Sequence, residues 1–144
     1  MKYVLLYILS FSSLLGSAQQ TTEEEESLSI IYEAMTRGSS FHCAVTKGRI
    51  SVKSSGKTIT METRAIAKKD WQEVEQQLKT VLLEHIGNLE APSAESQTDR
   101  ARIATLKVKR GDKIFESAPF DEGNPPKELK PLIDKILALA ETVE

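Results

Sequence analysis

The sequence predicts an α+β domain: an antiparallel sheet of about six strands, in the order ββββαββα, with two helices packed on one face. Two observations lead there. Short runs of alternating apolar and polar residues, separated by glycine- and serine-bearing turns, fill 28–63 and 103–117, and two longer stretches repeat their apolar residues at helical spacing. Helices with one stripe and strands with one apolar side bury both most economically as a layer on one face of a sheet, leaving the other face to water.

The chain begins with an expected export signal, Met1 to Ala18. Lys2 is followed by an apolar stretch from Tyr3 to Leu15, broken by Ser10, Ser12 and Ser13, and by the small residues Gly16, Ser17 and Ala18. A membrane span needs about 20 apolar residues, which this stretch lacks. No cysteine lies near Gln19 to accept a lipid, so the expectation is a periplasmic or secreted protein and not a lipoprotein. Residues 19–27 read as an acidic polar linker, because the run Glu23 to Glu26 repels itself and has no turn residues to fold into a calcium loop. Residues 28–144 then form a single domain, long enough to bury a core without staples. The formal net charge of −2 becomes −3 once Lys2 is removed, and so weak a field offers no footprint for nucleic acid.

Along the domain, Leu28, Ile30, Tyr32 and Ala34 share one side of a first strand, with Ile31 and Met35 on the other. Phe41, Cys43 and Val45 alternate in a second. Lys47-Gly48 fits a two-residue hairpin into a third strand with Ile50 and Val52. Ser54 to Lys57 reverses the chain into a fourth strand with Ile59, Met61 and Thr63. From Ala67 the period lengthens, and Trp71, Val74, Leu78, Val81 and Leu82 mark the first helix, with Gly87 a stop signal beyond it. Glu90 to Asp99 has no apolar period and reads as the longest loop. Ala104, Leu106 and Val108 face one way in the next strand, and Arg110 to Lys113 turns into Ile114, Phe115 and Ser117. Asn124 is the expected cap and Pro125 the expected first residue of a second helix carrying Leu129, Leu132, Ile133, Ile136, Leu137 and Ala140. Pro131 would then bend that helix, unless a short turn precedes a helix that starts near Lys130.

No motif for chemistry stands out. His42 and His85 are the whole imidazole inventory, no zinc spacing occurs, and no GxSxG places a serine on a sharp turn. No cofactor is expected. Cys43 is the single cysteine, and its alternation with Phe41 and Val45 reads as a buried apolar residue rather than a reactive thiol. Arg110-Gly111-Asp112 matches a short adhesion tripeptide but is also ordinary tight-turn chemistry. The cluster Phe120 to Pro126 is the candidate interaction loop, with Phe120, Asp121, Glu122 and Asn124 as its contact residues. Prolines there lower the entropy lost on binding.

Thr36-Arg37-Gly38-Ser39, Ala91-Pro92-Ser93 and Phe120 to Pro126 together resemble small exported proteins of Gram-negative bacteria that carry no assigned activity, over roughly Thr36 to Ile136. The resemblance implies export and fold, and transfers no site. The leading expectation is a non-enzymatic binding or envelope-associated module, with a protein or envelope component as partner, acting through a sheet face or through the loops Glu90 to Asp99 and Phe120 to Pro126. One alternative is a small hydrolase-like enzyme that assembles an acid/base site in space, with Asp121 or Glu122 beside His85. Another is an assembly protein that pairs with itself through an edge strand, for which Leu28 to Met35 is the candidate.

Overall fold

The computed structural model describes residues 27–98 and 100–143. The expected leader and the acidic run Glu23 to Glu26 lie outside the described residues. Four strands, β1 (Leu28–Met35), β2 (Ser40–Thr46), β3 (Arg49–Ser55) and β4 (Ile59–Ala65), form the expected meander. Lys47-Gly48 joins β2 to β3, and Gly48 takes a φ of 86°, a left-handed conformation that a side chain resists. Helix α1 (Lys68–Lys79) follows, then a short 3-10 helix, Leu83–Asn88, and a second, Glu95–Thr98. Strands β5 (Ile103–Arg110), β6 (Lys113–Glu116) and β7 (Phe120–Asp121) lead to helix α2 (Lys130–Glu141). No helix among the described residues is long and apolar enough to cross a membrane.

The strands make one antiparallel sheet of seven in the order β4-β3-β2-β1-β5-β6, with β7 continuing along the same side of β5 as β6. Ser117 bridges the break between those two short strands. Its N–H donates to the Leu106 carbonyl at 2.9 Å and its hydroxyl accepts the Leu106 N–H at 3.0 Å, so the buried ladder stays satisfied where regular pairing stops.

The first strand is therefore central, paired with β2 on one side and β5 on the other, and the expectation that Leu28 to Met35 forms an edge is overturned. Sequence alternation fixes which side of a strand is apolar. It carries nothing about the distant segment that returns beside it.

Both helices lie on the same side of the sheet. Ile30, Tyr32 and Ala34 from β1, Cys43 and Val45 from β2, Ile50 and Val52 from β3, and Ala104, Leu106 and Val108 from β5 meet Trp71, Val74 and Leu78 of α1 and Leu132, Ile133, Ile136 and Leu139 of α2 in one buried cluster. Lys135 on α2 ties the two helices at their rim, donating to Glu73 at 2.5 Å and to Asp70 at 3.1 Å.

Helix boundaries depart from the sequence reading in two places. α1 stops at Lys79, where Thr80 turns its hydroxyl onto the Gln77 carbonyl at 2.7 Å, and the chain continues in 3-10 geometry. Leu83 and Ile86, three residues apart on this 3-10 helix, share its buried side, while Leu82, expected inside, lies in the extended backbone just before it and is exposed. Gly87 is no stop signal but a point of contact: a Cβ there would stand 3.2 Å from the Glu116 carbonyl oxygen, so glycine lets this helix lie against β6. In the second helix the short-turn reading holds. α2 begins at Lys130 after Leu129, with Pro131 in its first turn where no intrahelical N–H is needed, so no bend arises. Asn124 and Pro125 are not its cap and first residue. Asn124 instead bridges to Asp121 and donates to Ser93.

Candidate binding cleft on the open face of the sheet

Helices α1 and α2 cover one side of the sheet, and among the described residues neither they nor any other α-helix covers the other, open side. Its side chains stand in rows set by the register. One row runs Ile59, Ser55, Ser40, Met35, Ile103 and Asp121 from edge to edge, and the next runs Met61, Lys53, His42, Glu33 and Thr105. Polar residues hold the centre. Ser40 and Ser55 share a hydroxyl hydrogen bond at 2.7 Å, Lys107 donates to Glu33 at 3.1 Å, and His42 Nε2 lies 3.7 Å from the other Glu33 oxygen. Lys107 also faces Glu116 at 3.5 Å, and these carboxylates raise its pKa. Apolar residues sit toward the margins: Met35 is 51% exposed, Ile103 45%, and Ile59, Met61 and Ile114 more so, all on this same side.

At one end of this face the row closes on Asp121, whose side chain organises the long loop. Its carboxylate accepts the Ser93 hydroxyl, the Glu95 N–H at 2.7 Å and the Ser96 N–H at 2.8 Å. Asp121 thus caps the 3-10 helix Glu95–Thr98. Only 2% of its surface is exposed, and these donors hold its carboxyl well below the usual carboxylate range. Asn124 completes the knot by donating to the Ser93 hydroxyl oxygen at 2.9 Å. The two segments that the sequence marks separately, Glu90 to Asp99 and Phe120 to Pro126, are one structural unit.

Anchored in this way, the loop stands beside the end of the open face and creates a cleft of about 640 Å³ lined by Met35, Thr36, Arg37, Ser96, Ala101 and Ile103. A second hollow of about 520 Å³ shares Ser96 and Ile103 and reaches Ala91, Pro119 and Phe120. Volumes in this range suit small ligands or a few residues of a peptide. Ile103 and Met35, direct cross-strand partners, supply apolar surface, while Arg37 makes no ion pair among the described residues. The arrangement can take an apolar group with an anionic end.

Of the candidate interaction residues, Phe120 is buried in the core and packs its ring 6.4 Å from that of Tyr32, and Asp121 is committed to the loop. Glu122 accepts from Arg102 at 2.7 Å at the half-exposed surface, and Asn124 is exposed but hydrogen-bonded. The trio of Asp121, Glu122 and His85 is not assembled. His85 lies on the 3-10 helix Leu83–Asn88, and among the described residues no carboxylate pairs with it. The imidazole that does meet a carboxylate is His42, brought to Glu33 by the β1–β2 register, a pairing that no local pattern announces. Among the described residues no group of three histidine, cysteine, aspartate or glutamate side chains gathers to hold a metal ion. Cys43 is buried, and burial pushes its thiol up to about 12. Burial likewise pushes the Tyr32 phenol up to about 12, with Glu122 adding to the rise and Arg102 opposing it.

What sequence reasoning missed is the cleft itself. Met35 and Ile103 each look like an ordinary outward strand residue. Their adjacency, and the loop that walls them, come from a pairing between segments about 70 residues apart. Compared with family models and with curated proteins, the chain matches none.

Proposed function

We infer that the protein is an exported, non-enzymatic binding module whose open sheet face and adjoining cleft receive an envelope component with an apolar body and an anionic end. The observation that carries this reading is the placement of Met35 and Ile103 side by side on an uncovered face, beside Arg37 and under a loop that a buried aspartate holds in place. Apolar side chains left in water gain free energy when a ligand covers them, at roughly 25 cal/mol per Å². A guanidinium at the rim adds preference for a carboxylate or phosphate, since hydrogen bonds to charged groups contribute about 1.5–3 kcal/mol each. Export through the leader supports the choice of an envelope component as partner.

Amide chemical-shift mapping tests the reading with three probes of equal chain length: decanoate, decanol and decylamine. Decanoate should shift Met35, Arg37, Ser96 and Ile103 and bind most tightly, and Arg37→Gln should weaken it by roughly tenfold while leaving decanol unchanged. Shifts confined to other surfaces, or equal affinity for the amine and the carboxylate, would remove the proposal.

A further inference from the structure

β4 is the long edge of the sheet. All seven of its residues are exposed, with Ile59 at 73% and Met61 at 69%, and among the described residues no strand lies on its outer side. The opposite edge differs. There β6 is only four residues long, and the 3-10 helix Leu83–Asn88 lies against it. An exposed strand of seven residues presents unpaired N–H and C=O groups, a template for another strand, and natural sheets usually shorten, bulge or charge such an edge. β4 is neither short nor interrupted by proline, and it carries one charge of each sign, Glu62 and Arg64.

The position of those two charges points to a particular occupant. Glu62 and Arg64 are two residues apart, so they share one side of the strand, the side that faces the helices. Arg64 is held on that side by donating to the Thr142 hydroxyl beyond the end of α2. If an identical strand runs antiparallel alongside with Thr63 opposite Thr63, each Glu62 stands directly across from the other copy's Arg64. The same register sets Met61 against Ala65 on the open side. Centring the pair on Glu62 would instead oppose two glutamates, and centring it on Met61 would leave both charges without an opposite partner. A run of charges of one sign would repel every copy of itself; opposite signs at this spacing match one.

Room exists for this arrangement. α2 lies over β2 and β3, so the two copies of α2 would be separated by about four strand spacings, roughly 19 Å, whereas packed helices need only 8–10 Å between axes. Residues directly opposite in an antiparallel pair point to the same side, so both open faces would look the same way and Ile59 and Met61 of the two copies would lie on one continuous surface.

The geometry points to β4 as a self-pairing edge: two copies of this chain join β4 to β4 about Thr63, with reciprocal Glu62–Arg64 pairs fixing the register. This goes beyond the cleft at Met35 and Ile103 and stands or falls independently of it. Sedimentation velocity on the protein expressed from its full coding sequence tests it at concentrations up to about 1 mM, the weak end of measurable affinities. The wild type should pass from monomer to dimer. Glu62→Arg alone and Arg64→Glu alone should each raise the dissociation constant by about tenfold or more, because each sets like charges directly opposite across the pair, and the double swap should return it to within about threefold of wild type. The near-ultraviolet signal of the buried Trp71 verifies that each variant is folded. A wild type that stays monomeric throughout, single variants that associate as well as the wild type, or a double swap that fails to recover would each overturn the proposal; the second outcome would place any dimer on another surface.

Discussion

The two faces of this sheet are built from the same strands, residue by residue in alternation, and behave as different materials. On the helix side, Ile30, Val45, Val108 and Ile136 are wholly buried, and the residues of β1, β2, β3 and β5 that enter this cluster are all apolar. On the open side the same strands carry Lys53 and the linked group of Glu33, His42 and Lys107, with apolar residues at the margins. Burial makes side-chain shape decisive on one face. Exposure makes it nearly irrelevant to stability on the other, and frees that face for recognition.

Substitutions on the two faces break or sharpen this contrast. The largest effect should come from Ile136→Ala, which removes atoms from a site with no exposed surface; it should cost about 2–5 kcal/mol, read as the shift in a urea unfolding curve. Nearly as large, in kinetic terms, is the protection of Cys43. Its thiol, pushed up from 9.0 to about 12, should react with a thiolate-selective disulfide reagent at neutral pH at least roughly a thousandfold more slowly in the folded protein than after unfolding in denaturant. Appreciable labelling of the native state would mean that the helix layer opens readily over β2.

At the boundary between the faces, Asp121→Ala should leave the helix side intact but release the loop. The amides of Glu95 and Ser96 donate to that carboxylate, so their protection from hydrogen exchange should disappear in the variant while that of Leu106 persists. Acid should act in the same direction. A carboxyl whose pKa is lower folded than unfolded contributes stability fully above the ordinary aspartate value of about 3.9 and loses it progressively as pH falls below that value toward the folded one. Protection at Glu95 and Ser96 should therefore be constant from neutral pH to about 5 and decline below 4, and a decline that begins near neutrality would assign the loop to some other group. The smallest change in stability should follow Ile103→Ser on the open face, within about 0.5 kcal/mol of wild type, even as it abolishes the apolar floor of the cleft in the decanoate titration.

Much of the fold was legible in the residues. The meander, the hairpin at Lys47-Gly48, the apolar stripe of each helix and the inward side of Cys43 all follow from short-range periodicity and turn chemistry, which act between residues close in sequence. The failures share a cause. Asn124 does not cap a helix because Ser93, thirty-one residues earlier, takes its amide, and Phe120–Asp121 form a seventh strand only because β5 is there to pair with. Each was decided by a neighbour that no window of ten residues contains. The candidate loop residues suffered most: Phe120 and Asp121 read as exposed recognition groups by composition, yet one lies in the core and the other holds the loop.

By itself, then, the sequence determined that this chain makes an antiparallel sheet with one apolar side and two helices to cover it, since alternation and helical spacing are written locally and the hydrophobic effect leaves few ways to satisfy both. Only the tertiary structure decided that β1 is central, that β4 is the long edge, and that Met35, Arg37 and Ile103 meet beneath a loop held by Asp121. Those are outcomes of strand order, and strand order is set by the summed packing of distant segments, a quantity that no single stretch of residues encodes.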